Sequence, residues 1–258
     1  MILRPLEPLS GNPGEWALAW PVVERLQQAK HERCWMITQP SHAALASSFA
    51  ECISDPQFPR PDRAMLRAIA LHDAGWGALD AQAVQKSRAK AAYRPESFVA
   101  LPVGQLVDVW KDSIETAQST GAAGGYAVSC HFSRIACHRA EGGKDSAPDR
   151  RTLEAFVAAE AARRKKLAAQ QPLPVVELDR LTDLMQFCDL LSLYVCCGAT
   201  EGVVFPKYCG VEVRAAVEAD GLRLTPRIIP AGAHFMVAAL RHPAEKDLSS
   251  QEMVVRVL

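Results

Sequence analysis

The chain has 258 residues, with 29 Lys+Arg against 29 Asp+Glu and a formal net charge of zero. That length buries a full core, as one large domain or as one domain with a small addition. Balanced charge removes the usual electrostatic argument for a general nucleic-acid or anionic-membrane binder, so neither partner is expected.

The most apolar segment, around Leu184 to Cys197, carries Gln186, Asp189 and Ser192, which argues against a membrane span. The eight cysteines include no Cys-x-x-Cys pair, which disfavours structural zinc and thioredoxin-type chemistry. The opening Met1-Ile2-Leu3-Arg4-Pro5 lacks the charged-then-apolar build of a signal peptide. A reducing cytoplasm is the expected setting.

In chain order, a short helical pattern covers Val22 to Gln28, and Cys34 to Gln39 reads as extended. Pro40-Ser41 opens a helix running to about Cys52, with His42 in its first turn and Leu45, Ala46 and Phe49 following at helical spacing. A turn with Pro56, Pro59 and Pro61 leads into the next helix, which starts near Pro61-Asp62. This helix reaches His72-Asp73, with Gly75 placed where helices commonly leave through a left-handed residue. At about 100° per residue, Met65, Leu66 and Ile69 form an apolar arc, and His72 and Asp73 fall on or beside it. An ionisable pair is thus aimed inward. A buried unpaired carboxylate is costly, so Asp73 needs a partner: an arginine, a backbone cap, or a metal shared with His72.

The segment from Gly77 to Pro102 has weak periodicity, with a short helix over Ala78 to Lys90, and suits either a lid or a packed surface excursion. Helices follow over Val103–Ser119, ending at Gly121, and over Tyr126–Ala140, where Val128, Phe132 and Ile135 point inward. His131 and His138 nearly superpose in projection at one margin of that arc, and Arg134 lies within reach of an anion beside His131. Both histidines also fit an ordinary polar flank. Residues 141–148 read as a mobile loop. A helix from Arg151 to about Gln170 follows, whose Arg163-Arg164-Lys165-Lys166 run suits a solvated C-terminal end. After Pro172-Leu173-Pro174, a long helix from Leu178 to Cys197 is apolar around most of its circumference. Asp189 shares a narrow stripe with Asp179, Thr182 and Gln186, which either faces water or lines a polar cavity in a bundle. From Val211 the period becomes two. Val217-Glu218-Ala219, Asp220-Gly221 and Leu222-Arg223-Leu224 predict a hairpin, and strands are expected over His234–Leu240 and Met253–Leu258.

His42, then His72-Asp73, then Asp189, each on its own helix, resemble the HD-domain superfamily. The words Ile37-Thr38-Gln39-Pro40-Ser41-His42, His72-Asp73-Ala74-Gly75-Trp76 and Ser129-Cys130-His131-Phe132 also look like an uncharacterised bacterial family near it. The resemblance spans roughly residues 33 to 200. It implies an HD-like helical metal-binding bundle; with the period-two tail, the expected fold is mainly α, an HD-like helical metal-binding domain over 1–208 with a small C-terminal antiparallel β-sheet over 209–258 packed on it. It further implies one divalent ion held by His42, His72, Asp73 and Asp189, with His131 a further ligand, a proton carrier or a hydrogen-bond partner of the substrate. Imidazole and carboxylate donors suit Zn, Mn, Fe or Ni. Most enzymes of the superfamily are phosphohydrolases. The expected activity is therefore hydrolysis of a nucleotide or other small phosphoester by metal-activated water, with Asp73, His131 and Arg134 as catalytic residues. If His131 and His138 both bound metal, the site would look like the smaller branch that uses paired iron for oxygenation. A metabolite-binding or regulatory module without turnover, or a homodimer, remains an alternative use of the same bundle.

Overall fold

The long apolar run after Pro174 becomes the spine of the molecule. The computed structural model describes residues 1–7, 16–90, 92–218, 221–244 and 251–258. In chain order these form β1 (Ile2–Pro5), β2 (Ala17–Leu18), α1 (Ala19–Gln28), β3 (Cys34–Ile37), α2 (Gln39–Cys52), α3 (Arg63–Ala70), α4 (Gly77–Ala89), α5 (Val103–Gln118), α6 (Ala122–Glu141), α7 (Ala147–Ala168) and α8 (Val175–Cys196). The strands β4 (Val203–Val204), β5 (Arg214–Glu218), β6 (Gly221–Thr225), β7 (His234–His242) and β8 (Gln251–Arg256) follow. From Phe187 to Cys196 every residue of α8 is buried, and the helix packs against α1, α2 and α6. A helix that is apolar nearly all round belongs in the core. Among the described residues, no helix is long and apolar enough to cross a membrane.

The chain is mainly helical, with strands at its C-terminal end as expected, yet those strands do not form a sheet of their own. One sheet runs β1-β3-β7-β8 and is antiparallel throughout, with Cys34 opposite His242 and Phe235 opposite Val255. The other runs β2-β4-β5-β6 and is mixed, because β2 and β4 are parallel. Both sheets therefore join the two ends of the chain. The β5–β6 hairpin is present, with Val217 opposite Leu222; part of its expected turn, at 219–220, lies outside the described residues.

Several helix ends differ from the sequence expectation. The α6 helix starts at Ala122, directly after Gly121, whose φ of 144° ends the preceding segment. The expected loop 141–148 shrinks because Ser146 caps α7, its Oγ accepting from Asp149 N, with Pro148 in the first turn. The basic run in α7 is not merely solvated: Arg164 donates to Ser129 O and to Ser133 Oγ on α6.

The largest local difference lies at His72-Asp73. Asp62 caps α3, accepting from Met65 N at 2.7 Å, but the helix stops at Ala70. Residues 71–73 form a tightened turn that runs through a 3-10 turn at Ala74–Trp76 straight into α4. Gly75 is not a left-handed helix stop. Its role is close approach: a Cβ at position 75 would lie 2.2 Å from Val109 O on α5, and Gly75 N donates to Ser113 Oγ at 3.0 Å. Gly75→Ala must therefore push α5 away from the turn that carries His72 and Asp73. Overpacking of this kind costs about 1–3 kcal/mol, so thermal unfolding of this variant should fall by several degrees. An unchanged Tm would show that α5 does not constrain the turn.

Candidate metal centre

The tightened turn sets the ring of His72. Because α3 ends early, the Ile69 carbonyl accepts the Nδ1–H of His72 at 2.7 Å. That bond fixes the ring orientation and turns Nε2 toward Asp189 Oδ1, 3.1 Å away, and Asp73 Oδ2, 3.7 Å away. Metal-binding histidines commonly use the second ring nitrogen in this way, as a donor to a carbonyl or carboxylate.

His42 repeats the arrangement from α2. Thr38 caps that helix, and His42 continues the Leu45, Ala46 and Phe49 face into the core, where it is 1% exposed. Ser192 on α8 donates its hydroxyl to the Asp189 backbone carbonyl at 2.8 Å. Its oxygen is then the acceptor for His42 Nδ1–H, also at 2.8 Å. His42 Nε2 consequently faces Asp73 Oδ2 at 2.7 Å. Two imidazoles thus present Nε2 to two carboxylates, edges at which a proton or a metal ion can sit between nitrogen and oxygen.

The polar stripe of α8 resolves in favour of the interior. Tyr126 donates to Asp179 at 2.9 Å, and Arg134 donates to Asp183 and Gln186, so the stripe faces α6. Asp189 stands at the end of this seam. His131 joins it from α6: it is 3% exposed, its Nε2 is 3.8 Å from Asp189 Oδ2, and its ring meets His72 edge-on at 5.6 Å. Its Nδ1 has no partner among the described residues.

His42, His72 and Asp189 bring their ligand atoms within 4.8 Å of one another, a buried cluster able to hold a metal ion. Asp73 touches two of these three residues, and His131 approaches Asp189 and the edge of His72. Arg134 donates its Nη1 to Asp183 and Gln186 on α8. His138 is exposed farther along α6 and does not join the cluster. Sequence reasoning did not find Ser192, whose only signal was its place three residues after Asp189.

Electrostatics follow from this burial. Desolvation opposes a charge on His72, but Asp73 and the hydrogen bond and charge of Asp189 overcome it and lift the pKa to about 9. Desolvation would raise Asp189, but the hydrogen bond from His72 and the surrounding imidazoles lower it to about 2. Desolvation depresses His131 to about 4, despite the pull of Asp189. Metal-free protein thus holds an imidazolium at His72 and a neutral ring at His131.

The raised His72 pKa stabilises the fold fully below the unfolded value of about 6.5, and that contribution is lost as pH rises through about 9. His131 acts oppositely: its penalty grows as pH falls from about 6.5 toward about 4. NMR of the metal-free protein should find one imidazole titrating near pH 9, absent in His72→Ala. If every histidine titrated below about pH 7, His72 would not be paired as described.

The fold and site thus define a mainly helical protein with a buried histidine–carboxylate cluster. The chain matches, over residues 26–226, the family described as "Protein of unknown function (DUF3891)", and it belongs to that family. No curated protein matches the chain, and no solved structure matches it.

Proposed function

We infer that the cluster binds one divalent ion and that the protein is a metal-dependent hydrolase of HD-domain type, acting on a nucleotide or another small phosphoester. One observation carries this reading: His42 and His72 each have Nδ1–H anchored while Nε2 faces a carboxylate oxygen, 2.7 and 3.1 Å away. Two ligands bound to a single ion stand about 3–4 Å apart, and the ligand atoms of His42, His72 and Asp189, within 4.8 Å of one another, need only a small adjustment to share one. The donor set of imidazole and carboxylate, with no thiolate, suits Zn, Mn, Fe or Ni.

Such an ion lowers the pKa of a bound water and neutralises charge on a phosphoryl oxygen. The protein's own groups divide the remaining work. His42, His72 and Asp189 hold the ion, with Ser192 and the Ile69 carbonyl fixing the two rings. The imidazole side chains are 0–3% exposed, whereas the Asp73 and Asp189 side chains are 9% and 11% exposed and form the more accessible side of the cluster. Asp73 Oδ1 has no partner among the described residues, so it can take a proton from a water beside it. Neutral His131 can relay a proton beside Asp189. A paired-iron oxygenase would need His131 without help from His138, which lies outside the cluster.

Two measurements follow. Metal loading near pH 7.5 should release the His72 proton, seen as acidification of a weakly buffered solution, and His72→Ala should abolish both uptake and release. Ser192→Ala should keep the fold and weaken metal affinity about 10–100-fold, the usual loss when the partner of a ligand histidine is removed. Loaded protein should hydrolyse a member of a nucleotide and phosphomonoester panel, with turnover lost in His72→Ala and Asp189→Ala. Full metal occupancy with tight metabolite binding but no turnover would favour a regulatory module instead.

A further inference from the structure

Where an antiparallel sheet lays one face on the core, its other face is polar wherever solvent meets it. The sheet β1-β3-β7-β8 departs from this in one place. On its inner face Phe235 packs on Phe49 of α2, with ring centroids 4.7 Å apart, and Val237 and Ala239 are buried. On its outer face α4 covers the end of β7 and the strand beside it. There Cys34, Met36 and Leu240 pack with Ala83 and Val84, and Ser87 Oγ meets His242 Nδ1 at 2.6 Å. The start of β7 and the whole of β8 lie beyond that cover. Their outward Met236 and Val254 are 62% and 65% exposed.

The antiparallel register sorts this uncovered face into three rungs of directly opposite residues. His234 and Arg256 form a basic rung, Met236 and Val254 an apolar one, and Ala238 and Glu252 an acidic one. All six side chains are exposed. Glu252 and Arg256 stand four residues apart on an extended strand, about 13 Å, which is too far for them to pair with each other. Among the described residues neither has an ion-pair partner.

This face is complementary to itself. Turning a second copy about an axis along the apolar rung lays Met236 and Val254 on their counterparts and sets each Arg256 over the opposite Glu252. An axis along the strands instead stacks acidic rung on acidic rung and basic on basic. The charge pattern therefore selects the first arrangement.

We propose that the outer face of β7–β8 is an interface with a second copy of this chain, related by a two-fold axis along the Met236–Val254 rung. The apolar rung supplies the burial, and the flanking charges set the direction, since exposed ion pairs add little affinity whereas like charges brought together are strongly disfavoured. A face of two strands is at the small end of specific interfaces, so the dimer is weak and depends on concentration. The metal centre plays no part in it.

The test is sedimentation velocity on the full chain over a wide concentration range, with circular dichroism to show that each variant is folded. Wild type should pass from monomer to dimer as concentration rises. Val254→Lys, at an exposed position where substitution scarcely affects folding, should abolish the dimer. Glu252→Arg should raise the dimer dissociation constant about tenfold or more, because it sets arginine against arginine across the axis. Adding Arg256→Glu to that variant exchanges the two charges and should restore the dimer. A wild type that stays monomeric throughout overturns the proposal, and so does a dimer indifferent to Val254→Lys. A dimer lost in Glu252→Arg and not recovered in the double variant overturns the two-fold arrangement.

Discussion

The structure turns on two carboxylates, Asp73 and Asp189, buried against two imidazole edges that are held from behind. Among the described residues no arginine is seen paired with either carboxylate: Arg134, on the same seam, is bound to Asp183 and Gln186. Burying carboxylate charge is costly unless it is paired, so the cluster requires positive charge at its centre. In metal-free protein that charge is a proton on His72, lifted to about 9 by its carboxylate neighbours. A divalent ion meets the same requirement more completely, since it satisfies both Nε2 edges at once.

The rest of the fold serves to hold those edges still. Ser192 and Asp189 lie on one buried helix, so the ring support of His42 and the carboxylate that faces His72 move together. Ile69 supports His72 only because α3 ends before the turn, and Gly75 lets α5 close over that turn. The seam from Tyr126–Asp179 to Arg134–Gln186 sets α6 against α8 and thereby brings His131 to Asp189. The two sheets tie both chain ends around this arrangement, since β3 pairs with β7 and β2 with β4.

Much of this was legible in the sequence, for identifiable reasons. Residues 42, 45, 46 and 49 follow the spacing of a single helix face, which is why His42 points inward once α2 docks. The apolar circumference of α8 announced a core helix. What it lacked was phase: whether Asp189 faced water or protein depended on α6, and no pattern within α8 could decide that. The strand pairings were hidden for a similar reason, because Cys34 and His242 meet across most of the chain. At Gly75, a helix stop and a close approach demand the same residue, so the sequence alone suggested the commoner role.

The central claim is that a metal ion, and not only a proton, occupies the space between these edges. Anomalous diffraction from crystals of protein loaded with Mn²⁺ or Zn²⁺ tests it directly. The account predicts one strong peak within bonding distance of His42, His72 and Asp189. A well-ordered loaded crystal with no peak there, and with His72 Nε2 still hydrogen-bonded to Asp189, would contradict it.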